Sequence, residues 1–358
     1  MAKTKVSKKV ASKKTSRRKE TTIPVDNTAL AQKIHLKSFE SLNIKRLRSG
    51  EVHRINIDIQ KNPMGVNWRV PVLVAKGVEE GPVLGITAAL HGNELNGLPT
   101  IFKLFNNLDL TKLKGTLIAV PVVNVPGFLA KQREFTDKKD LNRLFPGKEF
   151  GTSSEMYCHN LVNRIISKFD YLCDLHTASF GRINSLYVRA DLDNPITRRM
   201  ALLQNSQIIV NKYDEQGTLR AWANGQGIHC ITIEIGNPHS FQPDLIDQTY
   251  EGIQNLMKYL KMMPGKHKIE QNSVTVCEKS YWVYAYNGGV IQVFPQLTDR
   301  VEKDEVIGVV YDMHGTITDK IIAPEAGYVI GRNVNPVCEA GTRVLHLGIE
   351  TKDIALEV

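Results

Sequence analysis

The sequence predicts an α/β fold: a mixed, mostly parallel central sheet flanked by helices, followed by a smaller C-terminal all-β domain. Between residues 80 and 262, short Val/Ile/Leu runs alternate with amphipathic stretches. Strands buried on both faces read as such continuous apolar runs, and strand–helix alternation implies crossover connections in a parallel sheet. From about residue 274 the helical period disappears, and short apolar runs are separated by Gly, Asn, Asp and Pro. Pro264-Gly265-Lys266 marks the change.

The elements follow in order. A short helix is expected within 27–42. Glu51 to Ile59 alternates apolar and polar residues, and Arg69 to Ala75 follows it, so both are strands. Pro82–Leu90 is a strand, and Glu94 to about Asn107 an amphipathic helix. Gly115–Val123 is a strand, Ser153–Lys168 a helix and Tyr171–Leu175 a strand. Residues 195–205 form a helix, 207–210 and 230–235 strands, and about 242–262 a helix. The expected domains are a basic tail over 1–26, an α/β domain over 27–268 and a β-rich domain over 269–358.

Charge is unevenly placed. Of the net +9, residues 1–20 carry +8, with nine Lys or Arg against Glu20. The remainder has 37 basic and 36 acidic residues and is nearly neutral. The tail lacks large apolar groups and is expected to be disordered. It is either a solubilising extension or a weak, salt-sensitive polyanion-binding arm. No run approaches the ~20 apolar residues of a membrane-spanning helix. Five scattered cysteines, none in a Cys-x-x-Cys pair, suggest neither a disulfide framework nor a thiolate metal site, and the cytoplasm is the default location.

Three segments together suggest a metal site. His91-Gly-Asn-Glu94 follows a buried strand, where open α/β sheets place their ligands, and Asp174-Leu-His176 ends another. Two imidazoles and a carboxylate are the ligand set of a catalytic zinc with one position left for water. Asp174 is placed to orient a ligand imidazole. Of the other histidines, His229 and His239 are the reserve candidates, because they flank the strand that carries Glu234. Glu234, between Ile233 and Ile235, is a carboxylate costly to bury alone. Desolvation would raise its pKa, which suits a general base. Asn142 and Arg143 offer donors for an anion, and Arg133 is a second cation able to hold an oxyanion. The competing readings are a structural salt bridge for Glu234 and a solvated basic face for Arg133, near Lys131, Lys138 and Lys139.

These pieces, with Asn124-Val-Pro-Gly127, Phe145-Pro-Gly147 and Glu234-Ile-Gly236, resemble the succinylglutamate desuccinylase/aspartoacylase family, deacylases related to the zinc carboxypeptidases. The likeness runs from about residue 45 to the C-terminus. It implies His91, Glu94 and His176 as ligands of one Zn²⁺ per chain, and Glu234 as the base that activates water and then protonates the leaving amine. It further implies Arg133 at the oxyanion and Asn142 and Arg143 at the substrate carboxylate. Arg182, Asn184 and Arg220 are further candidate substrate contacts. The motifs Val301–Gly308 and Ile322–Gly331 look like a biotinyl/lipoyl-type barrel-sandwich. Lys320, three residues before Ala323-Pro324, stands too close to that pair for a modified hairpin lysine.

The expected function is a zinc-dependent hydrolase cleaving an N-acyl amino acid or a similar small carboxylated amide. A carboxypeptidase-type exopeptidase would use the same residues, and a non-catalytic anion- or nucleic-acid-binding protein would rest on the tail and the Arg cluster. A homo-oligomer is compatible with the sequence.

Overall fold

The computed structural model describes residues 36–212, 215–269 and 271–356. The basic tail and the first part of the helix expected within 27–42 lie outside the described residues.

The described residues open with strands β1 (Lys37–Phe39), β2 (Glu51–Lys61) and β3 (Asn67–Lys76). Then come β4 (Glu79–Ala88), α1 (Gly97–Asn106), β5 (Lys114–Val120), α2 (Val125–Ala130), α3 (Ser153–Arg164) and β6 (Tyr171–His176). The short strands β7 (Arg182–Asn184) and β8 (Leu186–Ala190) follow, with α4 (Pro195–Leu202) and β9 (Ile208–Asn211). Next are α5 (Leu219–Gly225), β10 (His229–Ile235) and α6 (Pro243–Tyr259). The remainder is strands: β11 (Ser273–Tyr284), β12 (Gly289–Val293), β13 (Arg300–Val301) and β14 (Val306–Tyr311), then β15 (Ile317–Ile322), β16 (Gly327–Asn333), β17 (Val337–Cys338) and β18 (Arg343–Ala355).

The mixed α/β architecture is as expected, with a mostly parallel centre. Strands β5, β4, β6 and β10 lie side by side and parallel, and β8, β9 and β11 form a second parallel run. Leu84, Ile86 and Ala88 of β4 are fully buried, which is why that strand reads as a continuous apolar run. In β2 the buried residues are Ile55, Ile57 and Ile59, the period of a strand with one wet face. Helix α1 buries Leu98, Ile101, Leu104 and Phe105 in the same cluster as Ile253, Leu256 and Met257 of α6. On the opposite face Tyr157 and Leu161 of α3 pack with Leu219 and Ala223 of α5. The sheet therefore has a helical layer on each side.

Strand β11 pairs with β9 across Thr275–Cys277, so the large sheet continues through β18 and β16 into the C-terminal region. A four-stranded sheet, β15-β14-β12-β17, is its companion there. The buried side chains Val301, Ile307, Val329, Val344 and Leu347 form that region's core. Lys320 pairs with Val309 inside β15, away from the Asp312–Thr316 turn that forms the hairpin tip. Among the described residues no helix is long and apolar enough to cross a membrane.

Two expectations need correction. In the described part of 27–42, residues 37–39 are a strand, because they pair in parallel with Ile55–Ile57 at the sheet edge. The helix expected from Glu94 begins at Gly97. Residues 89–96 form a loop, in which Ala89 takes φ +48 and Asn96 Nδ2 donates to Ile235 O at 2.7 Å and to Gln242 Oε1 at 3.1 Å. Those tertiary hydrogen bonds outweigh local helix propensity there.

Candidate active site

The site forms where β4, β6 and β10 end, so that the loops following them share one edge of the sheet. Three ligand-type side chains converge there. His91 Nδ1 lies 2.9 Å from Glu94 Oε1, His176 Nδ1 lies 2.9 Å from Glu94 Oε2, and the two Nδ1 atoms are 3.2 Å apart. All three residues are buried, and together they form a group able to hold a metal ion. Ligands ~2.0–2.1 Å from a tetrahedral zinc would stand roughly 3.3–3.4 Å from one another, close to the spacing seen.

Each imidazole is oriented from behind. His91 Nε2 meets Asp140 Oδ1 at 3.0 Å, and His176 Nε2 meets Asp174 Oδ2 at 2.8 Å. A carboxylate on Nε2 fixes the proton there and leaves the Nδ1 lone pair facing the centre of the cluster. Asp174 is itself held by Thr87 Oγ1 at 2.6 Å, from its register partner on β4. The donor set therefore fits zinc in residue type and spacing.

Glu94 is further braced by Ser179 Oγ at 2.6 Å and Thr177 N at 3.1 Å. Burial alone would raise its pKa, but His91 and His176 hold it well below the usual carboxylate range. Burial would lower His176, yet Asp174 and Glu94 hold it well above an ordinary histidine. Arg133 donates from Nη1 to Glu94 Oε1 and from Nη2 to Asp140 Oδ2, both at 2.9 Å. It is thus tied into the ligand framework rather than lying on a solvated face.

Glu234 lies beside this cluster, opposite His176 in the parallel register of β10 and β6. Its pKa is raised, first by burial, although Arg189 and His176 pull it down. Arg189 Nε stands 3.6 Å from Glu234 Oε1, and Asn184 Nδ2 donates to Oε2 at 3.2 Å. Arg189 also donates from Nη2 to Tyr187 Oη at 2.6 Å. A cavity of about 320 Å³ opens over these groups. Asn142, Arg143, Arg182, Asn184 and Arg220 all line it, as does Arg133. Asn142 Oδ1 accepts from Leu219 N at 2.8 Å, which anchors its loop to α5.

The reserve histidines stand apart. His229 is at the far end of β10 against Tyr171, and His239 meets Asn93 Nδ2 at 3.3 Å; neither lines the cavity.

Residues 80–260 match the succinylglutamate desuccinylase/aspartoacylase catalytic domain, half of the chain. The chain belongs to this family. An N-alpha-acetyl-L-2,4-diaminobutyric acid deacetylase of Halomonas elongata is 27% identical over 257 residues, spanning 68% of this chain and 74% of that protein. The product-bound ectoine utilization protein EutE (DoeB) of Ruegeria pomeroyi shares the fold, with a TM-score of 0.77 and 20% identity over 85% of this chain and 96% of that one. A succinylglutamate desuccinylase/aspartoacylase of Rhodobacter sphaeroides gives a TM-score of 0.76 at 22% identity, over 88% of this chain and 99% of that one. The fold is thus that of the zinc carboxypeptidase-like deacylases.

For this member of the succinylglutamate desuccinylase/aspartoacylase family, several site residues escaped sequence reasoning. Asp140, two residues before Asn142, has no local pattern that marks it as the partner of His91. Tyr187 and Arg189 share one face of β8, and an Arg inside an apolar strand was an available signal. Trp282 and His346, 64 positions apart, are register partners on β11 and β18, and no local pattern links them. Ser179 is a serine in a loop and carried no signal.

Proposed function

We propose that this protein is a zinc-dependent deacylase that hydrolyses the amide bond of an N-acyl amino acid or a similar small carboxylated amide. The observation that supports it is the placing of Glu234 beside three inward-facing donors, His91 Nδ1, Glu94 and His176 Nδ1, in one cavity. Zinc, when held there, supplies a Lewis acid for the amide carbonyl and lowers the pKa of water to around 7. Glu234 takes a proton from the attacking water and returns it to the leaving nitrogen. Its raised pKa suits both duties, since a group must hold the proton between the two transfers. Arg189 and Asn184 fix the carboxylate in position. Arg133 faces the carbonyl oxygen and offsets the charge it gains. Asn142 and Arg143 take the carboxylate of the amino acid. The Halomonas relative, by its name, removes an acetyl group from a diamino acid, which is the same bond type. All five cysteines are free and buried, in keeping with a reducing cytoplasm.

The test is amine release from a panel of N-acyl amino acids and short peptides by zinc-loaded protein, with and without chelator. Chelator-sensitive release from acyl amino acids supports the reading. Release from peptides alone replaces it with an exopeptidase. Stoichiometric zinc with no release from any member, across varied acyl groups, refutes it.

A further inference from the structure

A second cavity, of about 610 Å³, lies at the other edge of the sheet and shares no lining residue with the catalytic cavity. Tyr171 and His229 open β6 and β10 as register partners; the same two strands carry His176 and Glu234, again as partners, at their other ends. Four rings line this second cavity. Phe169 is buried, and Tyr171, Trp222 and His229 are half-buried. The Tyr171 and His229 rings are tilted against each other with centres 5.5 Å apart. Asp170 is the one carboxylate of the lining, which contains no Lys or Arg.

Asp170 is held in place at this edge. Its Oδ2 accepts from Val83 N at 2.7 Å, and its backbone carbonyl accepts from His229 N at 3.0 Å. Among the described residues no cation pairs with its carboxylate. Burial, and then the charge of Asp170, raise the Tyr171 hydroxyl above its ordinary value, so the carboxylate is felt at the ring. Elsewhere in the protein the aromatic faces are matched with internal cations: an Arg lies over Tyr187, Trp282, Phe180 and Tyr259. Among the described residues, none lies over Phe169, Tyr171 or Trp222. The face of an aromatic ring is negative and attracts a cation, most strongly where water is partly excluded. A fixed carboxylate beside such faces favours a positive ligand and opposes an anion.

We propose that this groove is a second ligand site, which binds a small organic ammonium ion with its alkyl groups against Trp222 and Tyr171 and its charge facing Asp170. The volume is that of a site for a whole small molecule. The lining supplies the two parts such a cation needs, ring faces for the alkyl shell and one uncompensated carboxylate for the charge. The site does not depend on the metal cluster or on the deacylase reading, because the two cavities have no residue in common.

The experiment titrates the zinc-saturated full chain by calorimetry with choline and with the neutral alcohol in which a carbon replaces the choline nitrogen. The two probes have the same shape and differ in charge. Choline should bind at least about tenfold more tightly, as expected for a cation on partly desolvated rings beside a carboxylate. In a nitrogen-labelled sample choline should also shift the indole N–H signal of Trp222, identified by its loss in Trp222→Phe. Asp170→Asn keeps an acceptor for Val83 N and removes the charge, so it should bring the two probes close to equal affinity. Trp222→Leu should weaken both. The comparison of the two probes uses the native chain and stands even if a variant fails to fold. Choline binding that is undetectable, or no tighter than that of the alcohol, overturns the site. So does a preference that survives Asp170→Asn. A shift of the Trp282 indole with none at Trp222 would place the cation in the catalytic cavity and would also overturn it.

Discussion

Glu234 and His176 are direct register partners on adjacent parallel strands, β10 and β6. Register partners in a sheet project to the same side, so a one-residue slip of either strand would separate them. The pairing is repeated one step deeper, where Asp174 lies opposite Thr232 on one side and Thr87 on the other. Glu234 and His176 are therefore set by backbone hydrogen bonding, on rigid elements rather than on loops.

Glu234→Gln should retain metal and lose turnover by at least ~10²-fold, because the amide cannot accept the water proton. To act as the proposed base Glu234 must be ionised, and its pKa is raised by burial. Activity should therefore fall on the acid side at a higher pH than an ordinary carboxylate near ~4.3 would give. Metal content by mass spectrometry and a kcat/KM pH profile check both points. Native-like turnover in the variant would remove Glu234 from the mechanism.

Asp140→Asn and Asp174→Asn should each weaken metal binding by roughly 10–100-fold, since each carboxylate fixes the tautomer of a ligand imidazole. Competition with a chromophoric chelator gives the constants. Binding equal to that of the native protein in both would show that the imidazoles are positioned by packing alone.

Gly92→Ala should damage the metal site without touching a ligand. A Cβ at Gly92 would lie 2.0 Å from the backbone carbon of Gly127, which is too close to accommodate. Gly127, in turn, has no room because Asn124 and the Glu134 carbonyl crowd it. The two glycines belong to different motifs and pack backbone to backbone, so the loop carrying His91 and Glu94 must shift. The expected outcome is a folded protein by circular dichroism with sharply reduced zinc content; full zinc occupancy would contradict it.

Glu155 tests the linkage between charge and stability. Its carboxylate pairs with Lys148 and accepts from Thr152 N at the start of α3, which lower its pKa to about 2. A depressed carboxyl stabilises the fold above its unfolded pKa, near ~4.3, and that contribution is lost as pH falls toward 2. Glu155→Gln should thus lower the denaturation midpoint at pH 7, with the gap to the native protein closing between about pH 4 and 2. A gap independent of pH would mean that the ionised form contributes nothing.

Much of this architecture was legible along the chain. The buried runs of β4, β6 and β10 announce themselves because strands covered on both faces cannot alternate. His91, Glu94 and His176 stand out as two imidazoles and a carboxylate at or just after the ends of buried strands, and Glu234 as a carboxylate costly to bury at the end of an apolar strand. The start of α1 was misplaced by three residues, because hydrogen bonds from Asn96 to Ile235 and Gln242, more than 130 positions away, hold the preceding loop.

The sequence by itself determined the chemistry: which side chains could bind a metal, which could move a proton, and which strands would carry them. These follow from residue type and short-range period, both local properties. Only the tertiary structure decided which groups meet. Asp140 reaches His91 across 49 positions, Arg189 reaches Glu234 across 45, and His346 stacks on Trp282 across 64. Such pairings are set by strand register and by the packing of distant segments. The far wall of the cavity, contributed by β11 and β18, therefore became visible only in the folded chain.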